Sequence, residues 1–167
     1  MACGLWLKKN LSTGETVVHS GRDDDLDRQG VVIMVSGKAS LINWTSVNES
    51  FISARFYSKH IKPIIIHVYA PTYDADENEN TCFYEMLGDI VDNVHRHDRF
   101  IITGDMTAKV ENKSENYDDI MDRHSAGTRN ENGGRLCDFC AMNRQFSRTW
   151  KYISYPGSQQ MVAPETK

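Results

Sequence analysis

Two strand ends carry the residues best able to do chemistry. In "IITGDMTAKV", residues 101–110, an apolar run breaks at a glycine and presents a carboxylate, Asp105, with Thr107 two residues on. In "VYAPT", residues 68–72, a second apolar run ends in Tyr69. A carboxylate at a strand end orients or deprotonates a water, or binds Mg²⁺. A phenol beside it can hold a phosphate oxygen. Each has a plain structural reading of equal standing: Asp105 as a turn former or helix cap, Tyr69 as a core aromatic with its hydroxyl at the rim. Layered α/β enzymes place catalytic groups at such ends, so the pair is the leading candidate if the two strands are neighbours.

Three other constellations are weaker. Asp74, Asp76, Asn78, Asn80 and Glu85 follow part of a calcium-loop spacing. Position six is Glu79 where the turn needs glycine, so an acidic lead-in to a helix N-terminus is the better reading. Cys137 and Cys140 form a C-x-x-C without the second ligand pair that structural zinc requires, which leaves small hydrophobic packing. Among the six histidines, His95 and His97 fit a helix C-terminus and His67 a hydrogen-bonded core position. Lys59, Lys62, Arg96 and Arg99 are dispersed and read as solvated surface.

These residues need elements to hold them. Residues 15–20 and 31–36 read as strands joined across the acidic turn "GRDDDLDRQG". Residues 50–58 alternate with period two, a half-buried strand. Residues 63–69 are continuously apolar and predict a strand covered on both faces. From 81 to 97, Phe83, Met86, Leu87, Ile90, Val91 and Val94 recur at helical spacing, with Asn80 or Thr81 as N-cap. Residues 99–104 return to strand. Residues 111–132 are polar and predict a long surface loop. Residues 133–146 predict a second helix with Leu136, Phe139, Cys140 and Met142 inward. The last sixteen residues have no period and two prolines, which predicts a frayed tail. Strands with outer helices give an α+β sandwich.

The 167 residues fit one domain with a sizeable core. Composition is that of a globular protein, 40% hydrophobic and 25% charged. A net charge of -4 argues against coating nucleic acid through bulk charge, while a local basic groove stays open. Four scattered cysteines make no disulfide scaffold. The N-terminal apolar run is short for a signal peptide, and no stretch reaches membrane-spanning length. The expectation is an intracellular chain with reduced thiols and no membrane association. The sequons at Asn10, Asn43, Asn48 and Asn112 are then chance matches.

"VYAPT", then "ITGDMTAKV" after a helix, then "RNENGGRLCDFCAMN", in that order, resemble the endonuclease/exonuclease/phosphatase superfamily. "TGETVVHSGRDDD", "RQGVVIMVS" and "SFISARFYSKHIKPIIIHVYAPTYDADE" extend the likeness. It is strongest to RTE-like endonuclease domains of non-LTR retrotransposons and to craniofacial-development-protein-like sequences. The resemblance spans roughly residues 12–150, with 1–11 and 151–167 expected to be poorly ordered termini. It implies an incomplete four-layer α/β/β/α sandwich and Mg²⁺-dependent cleavage of DNA phosphodiesters, with the nucleus as a family-based location. Tyr69 matches the tyrosine that contacts the phosphate, and Asp105 the aspartate that activates water. Thr107 stands where the family carries asparagine. The family's metal-binding Glu, its further Asn, and its closing Asp and His have no counterpart in this chain, which is therefore expected to be truncated at both ends. The reading is a retroelement-derived endonuclease-like domain with strongly impaired activity. The alternative is a non-catalytic interaction module or pseudoenzyme remnant.

Overall fold

A computed structural model describes residues 5–21, 30–72, 74–109, 128–143, 151–155 and 158–162. The chain divides into two compact units: residues 1–69 with 95–103, and residues 70–94 with 104–167.

The first unit holds two sheets. Strands β1 (Leu5–Asn10), β2 (Thr16–Gly21) and β3 (Gly30–Val35) form an antiparallel meander. The acidic turn expected between β2 and β3 lies outside the described residues. Strands β4 (Leu41–Asn48), β5 (Phe51–Phe56), β6 (Pro63–Tyr69) and β7 (Arg99–Asp105, its last two residues counted in the second unit) are neighbours in that order. Antiparallel pairing joins β4 to β5 and β5 to β6. Arg99 at the start of β7 donates its N–H to the Lys62 carbonyl, just before β6, at 3.2 Å. The two sheets face each other, β2 and β3 against β4, β5 and β6.

Val18, Val31 and Ile52 make the buried centre of this sandwich, with Ile33, Trp44 and Tyr69 packed against it. Burial of such β-branched side chains contributes about 1.5–3 kcal/mol each. Period two explains the choice: on β2, Val18 and Ser20 face inward, and on β3, Val31 and Val35 do. Buried Ser20 would be costly unpaired, but its hydroxyl bonds both Ser46 and the Asn48 carbonyl on β4 and so ties one sheet to the other. On β6 only Ile66 and Val68 are fully buried, so one face is closed and the other partly open, unlike the doubly covered strand expected. His67, expected as a hydrogen-bonded core residue, is half-buried.

The second unit holds helices α1 (Glu77–Asp92) and α2 (Glu131–Met142), which pack on each other, and the antiparallel hairpin β8 (Lys151–Tyr155) and β9 (Ser158–Val162). Helix α1 starts four residues before the expected position. Its N-cap is Asp76, whose carboxylate accepts from Asn78 N–H at 2.9 Å. The apolar stripe Phe83, Leu87, Val91 is inward as expected. The helix ends at Asp92 with Asn93 as C-cap, so His95 and His97 lie beyond its last turn. Helix α2 also starts two residues early and ends before 146. Leu136, Phe139 and Cys140 are buried, whereas Met142 is 83% exposed rather than inward. The expected polar loop lies mostly outside the described residues. Strands β1, β8 and β9 occupy terminal segments whose sequence shows no usable period.

The chain is thus α+β and sandwich-like. Among the described residues, no helix is long and apolar enough to cross a membrane.

Candidate functional site

Strand β7 carries Ile102, 1% exposed, then reaches Gly104 at φ +135°, a backbone that side chains with a Cβ rarely adopt. The chain turns there and leaves Asp105 exposed at the strand end. The main chain is tied down at this point, because Ala70 N–H donates to the Asp105 carbonyl at 2.8 Å. The Asp105 side chain closes a short turn, with Oδ1 accepting from Thr107 N–H at 2.8 Å. Among the described residues, none donates to Oδ2.

Met106 and Ala108 are buried on either side of Thr107, which anchors the loop inward at alternate positions. Thr107 itself has φ +46°. That is left-handed backbone, which a β-branched residue adopts at a cost of about 1–3 kcal/mol. Such a conformation persists only when its surroundings over-determine it, and here they do. Thr107 Oγ1 donates to the Pro71 carbonyl at 2.6 Å and accepts from Asn132 Nδ2 at 2.8 Å. The Thr107 carbonyl accepts from Asn130 Nδ2 at 2.9 Å.

Both asparagines belong to the start of α2. Asn130 is its N-cap, and Oδ1 accepts from Gly133 N–H and from Lys109 N–H, each at 2.8 Å. Asn130 N–H returns a bond to the Lys109 carbonyl at 3.1 Å. The helix and loop can approach this closely only because residue 133 is glycine: a Cβ there would lie 1.9 Å from the Lys109 carbonyl oxygen. Asn132 is fully buried, and its amide donates to both Pro71 O, at 3.1 Å, and Thr107 Oγ1. The Asn132 backbone carbonyl accepts from the Tyr84 hydroxyl of α1 at 3.2 Å. Burial pushes that phenol well above the ordinary tyrosine range, so it stays a neutral donor. Arg135 is engaged with Glu131 at 3.1 Å and leans on Asn132.

Asp105 and Thr107 are therefore brought together on one clamped loop. Tyr69 is the last residue of β6, half-buried against the Val18–Val31–Ile52 core, with its N–H on the Ser50 carbonyl at 3.0 Å. The residue after it, Ala70, is the one bonded to Asp105.

Mg²⁺ is ordinarily held by one or two carboxylates together with waters and substrate phosphates. Asp105 offers one such oxygen. No group of three or more His, Cys, Asp or Glu is assembled among the described residues, so they do not by themselves form a complete set. The partial calcium spacing is used differently: Asp76 caps α1, and Asn78, Asn80 and Glu85 lie within that helix. Cys137 and Cys140 are buried, and burial pushes the Cys140 thiol up to about 12, which fits packing rather than chemistry.

The sequence reading assigned no role to Asn130 or Asn132. Their signal was the run "NENGG", an asparagine three residues before a glycine at a helix start.

No protein-family model matches the chain. The chain is 34% identical over 136 residues to craniofacial development protein 2 of Bos taurus, a match covering 80% of this chain and 23% of that protein. It is equally similar, over the same shares, to craniofacial development protein 2 of Tragulus javanicus. The chain is thus similar to craniofacial development protein 2 along most of its own length, and spans about a quarter of the curated relatives it matches.

Proposed function

We propose that this chain is a retroelement-derived, endonuclease-like domain of the endonuclease/exonuclease/phosphatase type, with strongly impaired hydrolysis of DNA phosphodiesters. The observation that carries the reading is the exposed carboxylate of Asp105, held at a strand end by a clamped loop. In the ancestral reaction, Asp105 orients a water and takes its proton as the water oxygen attacks phosphorus, the bond from phosphorus to one sugar oxygen breaks, and that oxygen leaves with a proton from solvent. Tyr69 offers a phenol to a phosphate oxygen. Asp105 would offer a ligand to Mg²⁺, which would supply positive charge at the phosphoryl oxygens. The proposed partner is DNA, and the proposed location is the nucleus.

Thr107 accounts for the impairment. A hydroxyl has a single proton to donate, and that of Thr107 is already given to Pro71 O. Nothing remains for the charge that develops on a phosphoryl oxygen. Loss of one such donor costs about 10²–10³ in rate. The same observation favours a second reading, a non-catalytic interaction module that keeps the frame and has lost the chemistry. Pull-down of a partner that ignores Asp105→Ala supports the second reading.

The test of the first is nicking of supercoiled plasmid with Mg²⁺ by the purified chain and by Asp105→Ala. Nicking near background in both fits the impaired domain. Robust nicking abolished by the substitution refutes the impairment.

A further inference from the structure

Helices α1 and α2 leave a groove of about 400 Å³ between them, within the second unit. Its floor is aromatic. The Tyr84 and Phe139 rings lie 6.1 Å apart, tilted by 48°. At one end Met142, 83% exposed, extends the apolar surface. In the middle of α1, Gly88 leaves the wall open: a Cβ built there meets nothing within 4 Å. Tyr84, Gly88 and Asp92 recur at intervals of four, so one helix face lines the trough. From Thr81 to Asp92 that face runs about 16 Å, or three helical turns.

The rim is acidic. Among the described residues, Glu85, Asp92 and Asp138 line the groove together with Arg135, three carboxylates and one guanidinium. Arg135 is already engaged with Glu131. A phosphate-bearing ligand meets repulsion here, whereas lysine and arginine gain. The apolar floor asks for a large hydrophobic anchor, and the notch at Gly88 admits one.

We infer that this groove docks a basic amphipathic helix from a partner protein, with an apolar side chain at the Gly88 notch and lysines or arginines against the acidic rim. The face and its length match the helix-in-groove mode of recognition. This inference stands apart from the reading of Asp105, which concerns a different part of the unit.

The test uses the full chain and fluorescence anisotropy. One labelled peptide of about 14 residues carries leucines at helical spacing and lysines elsewhere, and its twin carries glutamates in place of the lysines. The lysine peptide binds, at least about tenfold tighter than its twin, and weakens with added salt. Gly88→Leu fills the notch and weakens it about tenfold or more, with circular dichroism confirming the fold. Glu85→Lys with Asp92→Lys does the same and favours the twin. If Gly88→Leu does not fold, Met142→Ser at its exposed position serves instead. Equal binding of the two peptides overturns the inference, as does unchanged affinity in the folded variants. Displacement by a short DNA duplex overturns it too. Sedimentation showing self-association that Gly88→Leu removes identifies a second copy as the occupant and likewise overturns it.

Discussion

Adjacent glycines at the start of α2 should respond to the same substitution with opposite signs. At Gly133, an alanine Cβ would lie 1.9 Å from the Lys109 carbonyl oxygen and 2.8 Å from its carbon. Ordinary contact begins near 3.4 Å, so loop and helix must part by the difference, 1.5 Å. The 3.1 Å bond from Asn130 N–H to Lys109 O cannot survive that separation. The twin bonds to Asn130 Oδ1, from Lys109 and from Gly133, are strained with it. Loss of an N-cap costs about 1 kcal/mol, and two further hydrogen bonds about 1 kcal/mol each. Alanine returns about 0.5–1 kcal/mol of helix propensity. Gly133→Ala should therefore destabilise by about 2 kcal/mol. At Gly134 a Cβ meets nothing within 4 Å, so Gly134→Ala should stabilise by about 0.5–1 kcal/mol. Urea titration followed by circular dichroism measures both. If the two variants agree within about 0.5 kcal/mol, the close approach of helix and loop is not what holds the Asp105 frame.

Asn132→Ala removes two donated bonds from a fully buried amide and should cost about 2–3 kcal/mol in the same titration. Burial holds the His67 imidazole below its ordinary 6.5, so the folded state resists protonation. The contribution is complete above pH 6.5 and is lost as pH falls from there through the lower folded value. His67→Gln should accordingly flatten the fall in melting temperature between neutral and mildly acidic buffer. In native protein, Ellman's reagent should label exposed Cys82, while buried Cys137 and Cys140 react only after denaturant is added.

Much of the frame was legible because burial imposes a period. The inward Ile52 and Ala54 of β5, and the stripe of Phe83, Leu87 and Val91, are patterns that packing requires. The start of α1 was not, because its first turn is polar. The cap falls on Asp76, seven residues before Phe83, and the interval is polar apart from the exposed Cys82. Met142 has the right spacing for an inward residue but ends α2 beyond the packed part. Strands β8 and β9 carry no alternation that would announce them. At the site, Asp105 stood out because its setting is local, a glycine and a strand end. Asn132 did not, because its partner Pro71 lies 61 residues away. The left-handed turn at Thr107 was hidden by residue type, since threonine by itself favours extended backbone.

The rate of Mg²⁺-dependent cleavage that vanishes in Asp105→Ala bears most directly on the endonuclease-like reading. It is best measured on a fluorescent DNA duplex, beside an intact retrotransposon endonuclease domain. The Asp105-dependent rate should fall at least about 10²-fold below that control, because the Thr107 hydroxyl is already committed to Pro71. A rate equal to the control, or Mg²⁺-dependent cleavage that persists undiminished in Asp105→Ala, would contradict it.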